Sequence, residues 1–188
     1  RASEDAAVAF QASNTGFSQR QVAALLPDAK DPSTLYAGVI NDKAYGGVFI
    51  TTDGGRIWKQ QSDGLDARDV FFLAQTARGT LVAGTSDGVF RWSGSSWSPE
   101  DRVVPVPVPV TRTTHHTSRH TERAPVRHTM PSHAVSRVKV DKLHGRVTAL
   151  LAVGDTLYVA TPQGVFRSLS DGVSWEGPLL GGHSYDGD

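Results

Sequence analysis

Three segments of this chain repeat one another, and the spacing of their shared residues leaves few folds open. "VAALLPDAKDPSTLYAGVINDKAYGGVFITTDGGRIW" (22–58) aligns with "VFFLAQTARGTLVAGTSDGVFRWSGSSW" (70–97) and with "VTALLAVGDTLYVATPQGVFRSLSDGVSW" (147–175). Each copy has an apolar run, a polar turn, a "TL" strand, a turn ending in Gly, a "GVF" strand, a tight hairpin and a Trp. The anchors coincide three times: Leu35, Leu81 and Leu157; Val48, Val89 and Val165; Phe49, Phe90 and Phe166; Trp58, Trp97 and Trp175. Valine- and aromatic-rich runs divided by Gly, Asp and Ser read as strands and turns. The alignment also settles "QRQVAALL" (19–26) as strand, although its apolar spacing resembles a short helix.

Four short strands in about 45 residues is the period of a β-propeller blade. The first two copies start 48 residues apart, and the next interval is 77 because an unrelated segment intervenes. The expected fold is therefore all-β, made of four-stranded antiparallel blades, about three of them. Residues 1–21 read as the end of a preceding blade, since "VAFQASNTGFSQRQ" (8–21) resembles "WKQQSDGLDARD" (58–69). Blades follow over 22–69, 70–100 and 147–188, the last including a C-terminal tail, with a basic insertion over 101–146. A ring generally needs four to eight blades, and an open arc exposes strand edges and apolar faces. The chain is accordingly expected to belong to a larger propeller or to close by association. It opens on Arg1, with neither a starting Met nor a charged-then-apolar leader, and reads as a mature product or a fragment.

"TTDGGRIW" (51–58) fits the pattern Ser/Thr-x-Asp-x-Gly-x-x-Trp at Thr51, Asp53, Gly55 and Trp58. On this motif and its matched spacing, residues 8–100 and 147–180 resemble the Asp-box, or bacterial neuraminidase repeat, propellers. That group includes sialidases, sortilin-type receptors, xyloglucan-active glycosidases and photosystem II assembly-factor propellers. The third copy, "SLSDGVSW", keeps Ser168, Gly172 and Trp175 but has Ser170 in the aspartate's place, with Asp171 one position later. The second, "RWSGSSW", is shortened and has no aspartate. Such variation suits a turn clamp better than a catalytic group. Gly54 and Gly55 can take positive φ, Asp53 can accept bonds from the turn's own N–H groups, and Trp58 can bury its ring against the neighbouring blade.

For a sialidase, the resemblance would imply an arginine triad, a Tyr–Glu nucleophilic pair and an acid Asp. Arg91 and Arg167 match each other and so belong to the repeat, as do Tyr36 and Tyr158, and glutamate is confined to Glu4, Glu100, Glu122 and Glu176. A glycosidase of another family needs two facing carboxylates, for which Asp42, Asp63, Asp66, Asp69 and Asp87 are loop candidates. The sequence singles out no catalytic residue and no cofactor motif: it has no Gly-x-Ser-x-Gly elbow, Walker loop or zincin helix. The most individual loop within a blade, "NDKAYGG" (41–47), lengthens the connection between the second and third strands relative to the other copies and offers Lys43 and Tyr45 as partner contacts.

Zero net charge over 188 residues conceals an asymmetry. From Arg102 to Arg146 nine Lys/Arg stand against two Asp/Glu, a net +7, which leaves −7 for the rest. The same stretch holds six of the seven histidines and five of the ten prolines. Alternating Val-Pro favours extended or polyproline-II backbone, and the polar Thr/Ser/His/Arg run cannot bury a core. Residues 102–112 and 133–143 could form the two arms of a ribbon. His115, His116 and His120 are weak metal candidates without a carboxylate or thiol beside them. Aromatics for base stacking are absent from Trp97 to Tyr158, which argues against specific nucleic-acid recognition. An interaction arm for a protein partner, with contacts at Arg112, Arg119, Arg123 and Arg127, is the preferred reading.

Cysteine is absent, so disulfides and thiolate metal sites are excluded. No apolar run approaches the eighteen residues of a transmembrane helix. The functional expectation is a non-enzymatic protein-binding or scaffold propeller, an accessory or assembly subunit of a larger complex. Self-association is open, no cofactor is expected, and the resemblance implies an extracytoplasmic location, periplasmic or secreted. The alternative is a piece of a carbohydrate-active Asp-box propeller, sialidase-like or another glycosidase.

Overall fold

A computed structural model describes residues 15–16, 20–42, 45–104 and 142–179. Each repeat forms one antiparallel sheet whose strands lie in chain order. The first comprises β1 (Gln21–Pro27), β2 (Leu35–Ile40), β3 (Gly47–Thr51) and β4 (Lys59–Gln60). The second comprises β5 (Val70–Gln75), β6 (Leu81–Thr85), β7 (Gly88–Trp92) and β8 (Trp97–Pro99). In the third, β10 (Ala149–Val153), β11 (Thr156–Thr161), β12 (Gly164–Ser168) and β13 (Trp175–Glu176) repeat the order, and β9 (Val103–Val104) adds a fifth strand.

That fifth strand departs from the expected four. It pairs in parallel with β13, Trp175 opposite Val103 and Glu176 opposite Val104. The basic segment therefore leaves the second sheet by crossing onto the outer edge of the third. It returns at the same place: Arg102 bridges Lys142 antiparallel, the Leu143 N–H donates to the Asp101 carbonyl (2.6 Å), and Lys142 Nζ reaches Asp101 Oδ2 at 3.0 Å. Only this foot of the expected ribbon falls within the described residues.

The sheets stack face to face, and alternation along each strand decides what the interfaces contain. Leu26, Tyr36 and Val48 of the first sheet pack on Val70, Leu81, Ala83, Phe90 and Trp97 of the second. Ala74, Val82 and Val89, on the second sheet's other face, pack on Val147, Leu157, Val159, Phe166 and Trp175 of the third. Ala37, Val39, Phe49 and Trp58 form a further buried cluster on the first sheet's opposite side. We call the side turned to the next sheet in chain order the forward face, and the other the rear face.

Candidate functional site

The turns fall on two rims. On one, the β1–β2 turn meets the β3–β4 hairpin, with the Gly54 N–H donating to the Ser33 carbonyl (2.8 Å). The Thr51–Trp58 hairpin there is a closed set of hydrogen bonds. Thr51 Oγ1 donates to Asp53 Oδ1 (2.7 Å) and accepts from the Gly55 N–H (3.0 Å). The same Oδ1 accepts the N–H groups of Arg56 (2.9 Å) and Ile57 (3.0 Å). Gly55 stands at φ 92°, a value the threonine-centred loop requires and an L side chain resists. The Thr51 hydroxyl and these two amides hold the Asp53 carboxyl below its ordinary range.

Ser168 and Gly172 reproduce part of this, the Gly172 N–H donating to Ser168 Oγ at 2.9 Å. Ser170 accepts the Ser174 N–H (3.1 Å), the bond that falls to Asp53 in the first sheet. The displaced Asp171 pairs instead with Arg78, from the second repeat (3.1 Å), which also pairs with Asp155 at 3.3 Å. In the shortened second hairpin, Ser93 Oγ accepts from the Ser96 N–H (3.1 Å).

Each repeat Trp ties its sheet to the chain segment that precedes it, which for Trp97 and Trp175 is the exit of the sheet before. The backbone N–H groups of Trp58, Trp97 and Trp175 donate to the carbonyls of Thr15 (2.9 Å), Asp63 (2.7 Å) and Arg102 (2.8 Å). The indoles of Trp97 and Trp175 add bonds to the Gln61 and Glu100 carbonyls (2.8 and 2.9 Å). A Cβ on Gly16 or Gly64 would overlap the carbonyl oxygen of Trp58 or Trp97, so these exit glycines exist for the next sheet's approach.

The other rim carries the β2–β3 connections and the links between sheets. Tyr45 is 66% exposed there, its carbonyl accepting from Arg20 Nε (3.0 Å). Beside it lies a cleft of about 340 Å³ between Gly46–Gly47 and residues 60–68, lined by Gln60, Ser62, Asp63, Asp66 and Arg68. Ser62 Oγ closes the cleft's floor, donating to the Gly46 carbonyl (3.0 Å) and accepting from the Val48 N–H (3.0 Å). Sequence reading did not single out Ser62, although an exit-loop Ser-Asp-Gly following a repeat Trp was a usable signal. The basic segment's foot is on this rim too: the Gly88 N–H donates to the Gly145 carbonyl (2.8 Å), and His144 Nδ1 meets Gln163 Nε2 at 2.7 Å. Lys43, Arg112, Arg119, Arg123 and Arg127 lie outside the described residues, as do His115, His116 and His120. Among the described residues no three His, Cys, Asp or Glu converge on a metal position.

Solved structures share this backbone. A GH74 xyloglucanase from Xanthomonas campestris superposes with TM-score 0.52 at 16% identity over 85% of this chain. An ancestral GH74 enzyme gives 0.51 at 13% identity over 83%. The three sheets are β-propeller blades. YCF48 from Cyanidioschyzon merolae also aligns, at TM-score 0.47 and 14% identity, over 83% of this chain and 36% of its own. The propeller arc spans only 21% of the xyloglucanase and 18% of the ancestral enzyme, and the likeness at these identities is one of fold. No family model and no curated protein matches the sequence.

Proposed function

We propose that this propeller is a non-enzymatic, protein-binding scaffold of the Asp-box kind, an accessory or assembly subunit of a larger complex. The supporting observation is that exposed Tyr45 and the foot of the basic segment share one rim. An apolar ring edge beside a positively charged arm is the anatomy of a surface that captures an acidic partner by charge and anchors it by an aromatic. The carboxylates are largely committed to architecture. Asp53 closes a hairpin, Asp28 and Asp31 cap turns, Asp171 and Asp155 hold Arg78, and Glu176 holds Arg167 at 2.8 Å. The Asp-box resemblance adds to this proposal an extracytoplasmic location, periplasmic or secreted.

One observation favours the alternative: Asp63 and Asp66 both line the cleft. Two measurements separate the readings. Capture of a partner that survives deletion of 105–141 and Tyr45→Ala, and is indifferent to salt, would remove the scaffold proposal. Turnover of fluorogenic glycosides that vanishes in Asp63→Asn or Asp66→Asn would replace it with the glycosidase.

A further inference from the structure

Four Asp-Gly steps fall among the described residues: Asp53–Gly54, Asp63–Gly64, Asp87–Gly88 and Asp171–Gly172. An aspartate followed by glycine is open to an intramolecular reaction, because no Cβ shields the following amide nitrogen from the side-chain carboxyl. How fast it runs depends on how firmly the two reacting groups are held. Three of the four steps are committed on both sides. Asp53 Oδ1 takes its three donors, and the Gly54 N–H donates to the Ser33 carbonyl. Asp87 accepts the Gly145 N–H (3.4 Å) and pairs with Arg68 (3.7 Å), while the Gly88 N–H donates to the Gly145 carbonyl. Asp171 pairs with Arg78, and the Gly172 N–H is buried on Ser168 Oγ.

Asp63–Gly64 is the exception. Among the described residues, nothing bonds to the Asp63 carboxylate or to the Gly64 N–H, and both residues are exposed. The step sits in the turn that the Leu65 N–H closes on the Ser62 carbonyl (3.0 Å), where Asp63 lines the cleft and is reached by water.

We propose that Asp63–Gly64 is a site of spontaneous backbone isomerisation, at which the chain acquires an isoaspartyl linkage on the rim that carries the cleft. The Gly64 nitrogen attacks Cγ of the protonated Asp63 carboxyl. An N–Cγ bond forms, and the amide proton leaves with the carboxyl hydroxyl as water. The product is a cyclic succinimide, and water then adds back at one of its two carbonyls. Cleavage of the N–Cγ bond restores aspartate. Cleavage between the nitrogen and the Asp63 main-chain carbonyl carbon gives isoaspartate. One water leaves and one returns, so no co-reactant is needed. This inference is independent of what the rim binds or catalyses.

The consequence falls on the joint between the first two blades. The Asp63 carbonyl accepts the Trp97 N–H at 2.7 Å, and a Cβ on Gly64 would overlap the Trp97 carbonyl oxygen. The isoaspartyl linkage runs the chain through Cβ, inserts a methylene ahead of Gly64 and turns that accepting carbonyl into a free carboxylate. A joint with no room for one extra atom receives a longer backbone, and the new carboxylate is a substrate for methyl transfer to isoaspartyl groups.

Trypsin separates the four steps, which fall in peptides 44–56, 60–68, 79–91 and 168–188. The folded chain and the chain unfolded in guanidinium chloride are aged at neutral pH and digested briefly. Isoaspartate is measured by methyl transfer from labelled S-adenosylmethionine and placed by diagnostic fragment ions, which also separate Asp63 from Asp66 and Asp171 from Asp186. In the folded chain isoaspartate should build up at 63 about ten-fold or more faster than at 53, 87 and 171, where local opening must come first. In the unfolded chain the four rates should draw together. Asp63→Glu should remove the signal from 60–68, and the aged wild type should melt below the aged variant by more than the fresh proteins differ. Equal rates at the four positions in the folded chain overturn the proposal, as does a signal in 60–68 that survives Asp63→Glu.

Discussion

The indole of Trp97 donates to the backbone carbonyl of Gln61, one blade away, at 2.8 Å. Trp97 is 3% exposed and the bond itself is partly buried, which limits water's access to it. The repeat tryptophan is thus a latch between blades as well as a core residue. Trp97→Phe keeps most of the apolar contact and strands the carbonyl. Its expected cost is about 2 kcal/mol in urea unfolding, the range for a buried group left unpaired.

Gly64 stands at φ 89° where a Cβ would overlap the Trp97 carbonyl. Gly64→Ala meets both penalties, left-handed backbone and steric conflict, and is expected to cost about 2 kcal/mol or more. Gly54 has a similar φ of 71° with open space around it, so Gly54→Ala should cost less in the same assay.

Asp53→Ala removes the acceptor shared by the Thr51 hydroxyl and the Arg56 and Ile57 amides. The thermal midpoint should fall by a few degrees at neutral pH, as when a turn cap is lost. Because the folded carboxyl titrates below its ordinary 3.8, its stabilisation is present above that value and is lost as pH falls through the folded pKa. Wild type and variant should therefore converge in strong acid.

Glu100 behaves in the opposite sense. Burial raises its pKa above 4.5, with Asp101 adding and Arg91 opposing. The native state then holds the proton more tightly than the unfolded chain, and stability drops as pH rises from 4.5 through the folded value. Glu100→Gln should melt higher than wild type at pH 7 and together with it below the ordinary glutamate range.

Tyr36 donates to Asp28 Oδ2 at 3.2 Å, and burial together with that carboxylate pushes its phenol up to about 12. Ultraviolet titration should show an ionisation near that pH that Tyr36→Phe removes.

The fold was legible because a repeat reports three times on one geometry: Leu35, Phe49 and Trp58 each have two counterparts doing the same packing. The hairpin clamp was legible for a related reason, since Thr51 and Asp53 act within eight residues of chain. What sequence did not disclose depends on partners far away in the chain. The parallel pairing of Val103–Val104 with Trp175–Glu176 joins residues more than seventy positions apart, and a Val-Val dipeptide before a proline run carries no mark of it. The need for glycine at 38 and 84 is equally hidden, since a Cβ there would come within 2.8 or 2.7 Å of the Val70 or Val147 side chain of the next blade. Candidates on 105–141 rested on composition, which names a chemistry without placing it.

The foot at Asp101–Arg102 and Lys142–Leu143 has a last consequence. Because both ends of the intervening segment are pinned side by side on an outer strand, its length is nearly decoupled from the architecture that carries it. Each doubling of the chain length between two such anchored ends adds only about 0.6 kcal/mol of closure entropy. The rim thereby offers a graft point, where sequence can be lengthened, shortened or exchanged while the blades on either side keep their register.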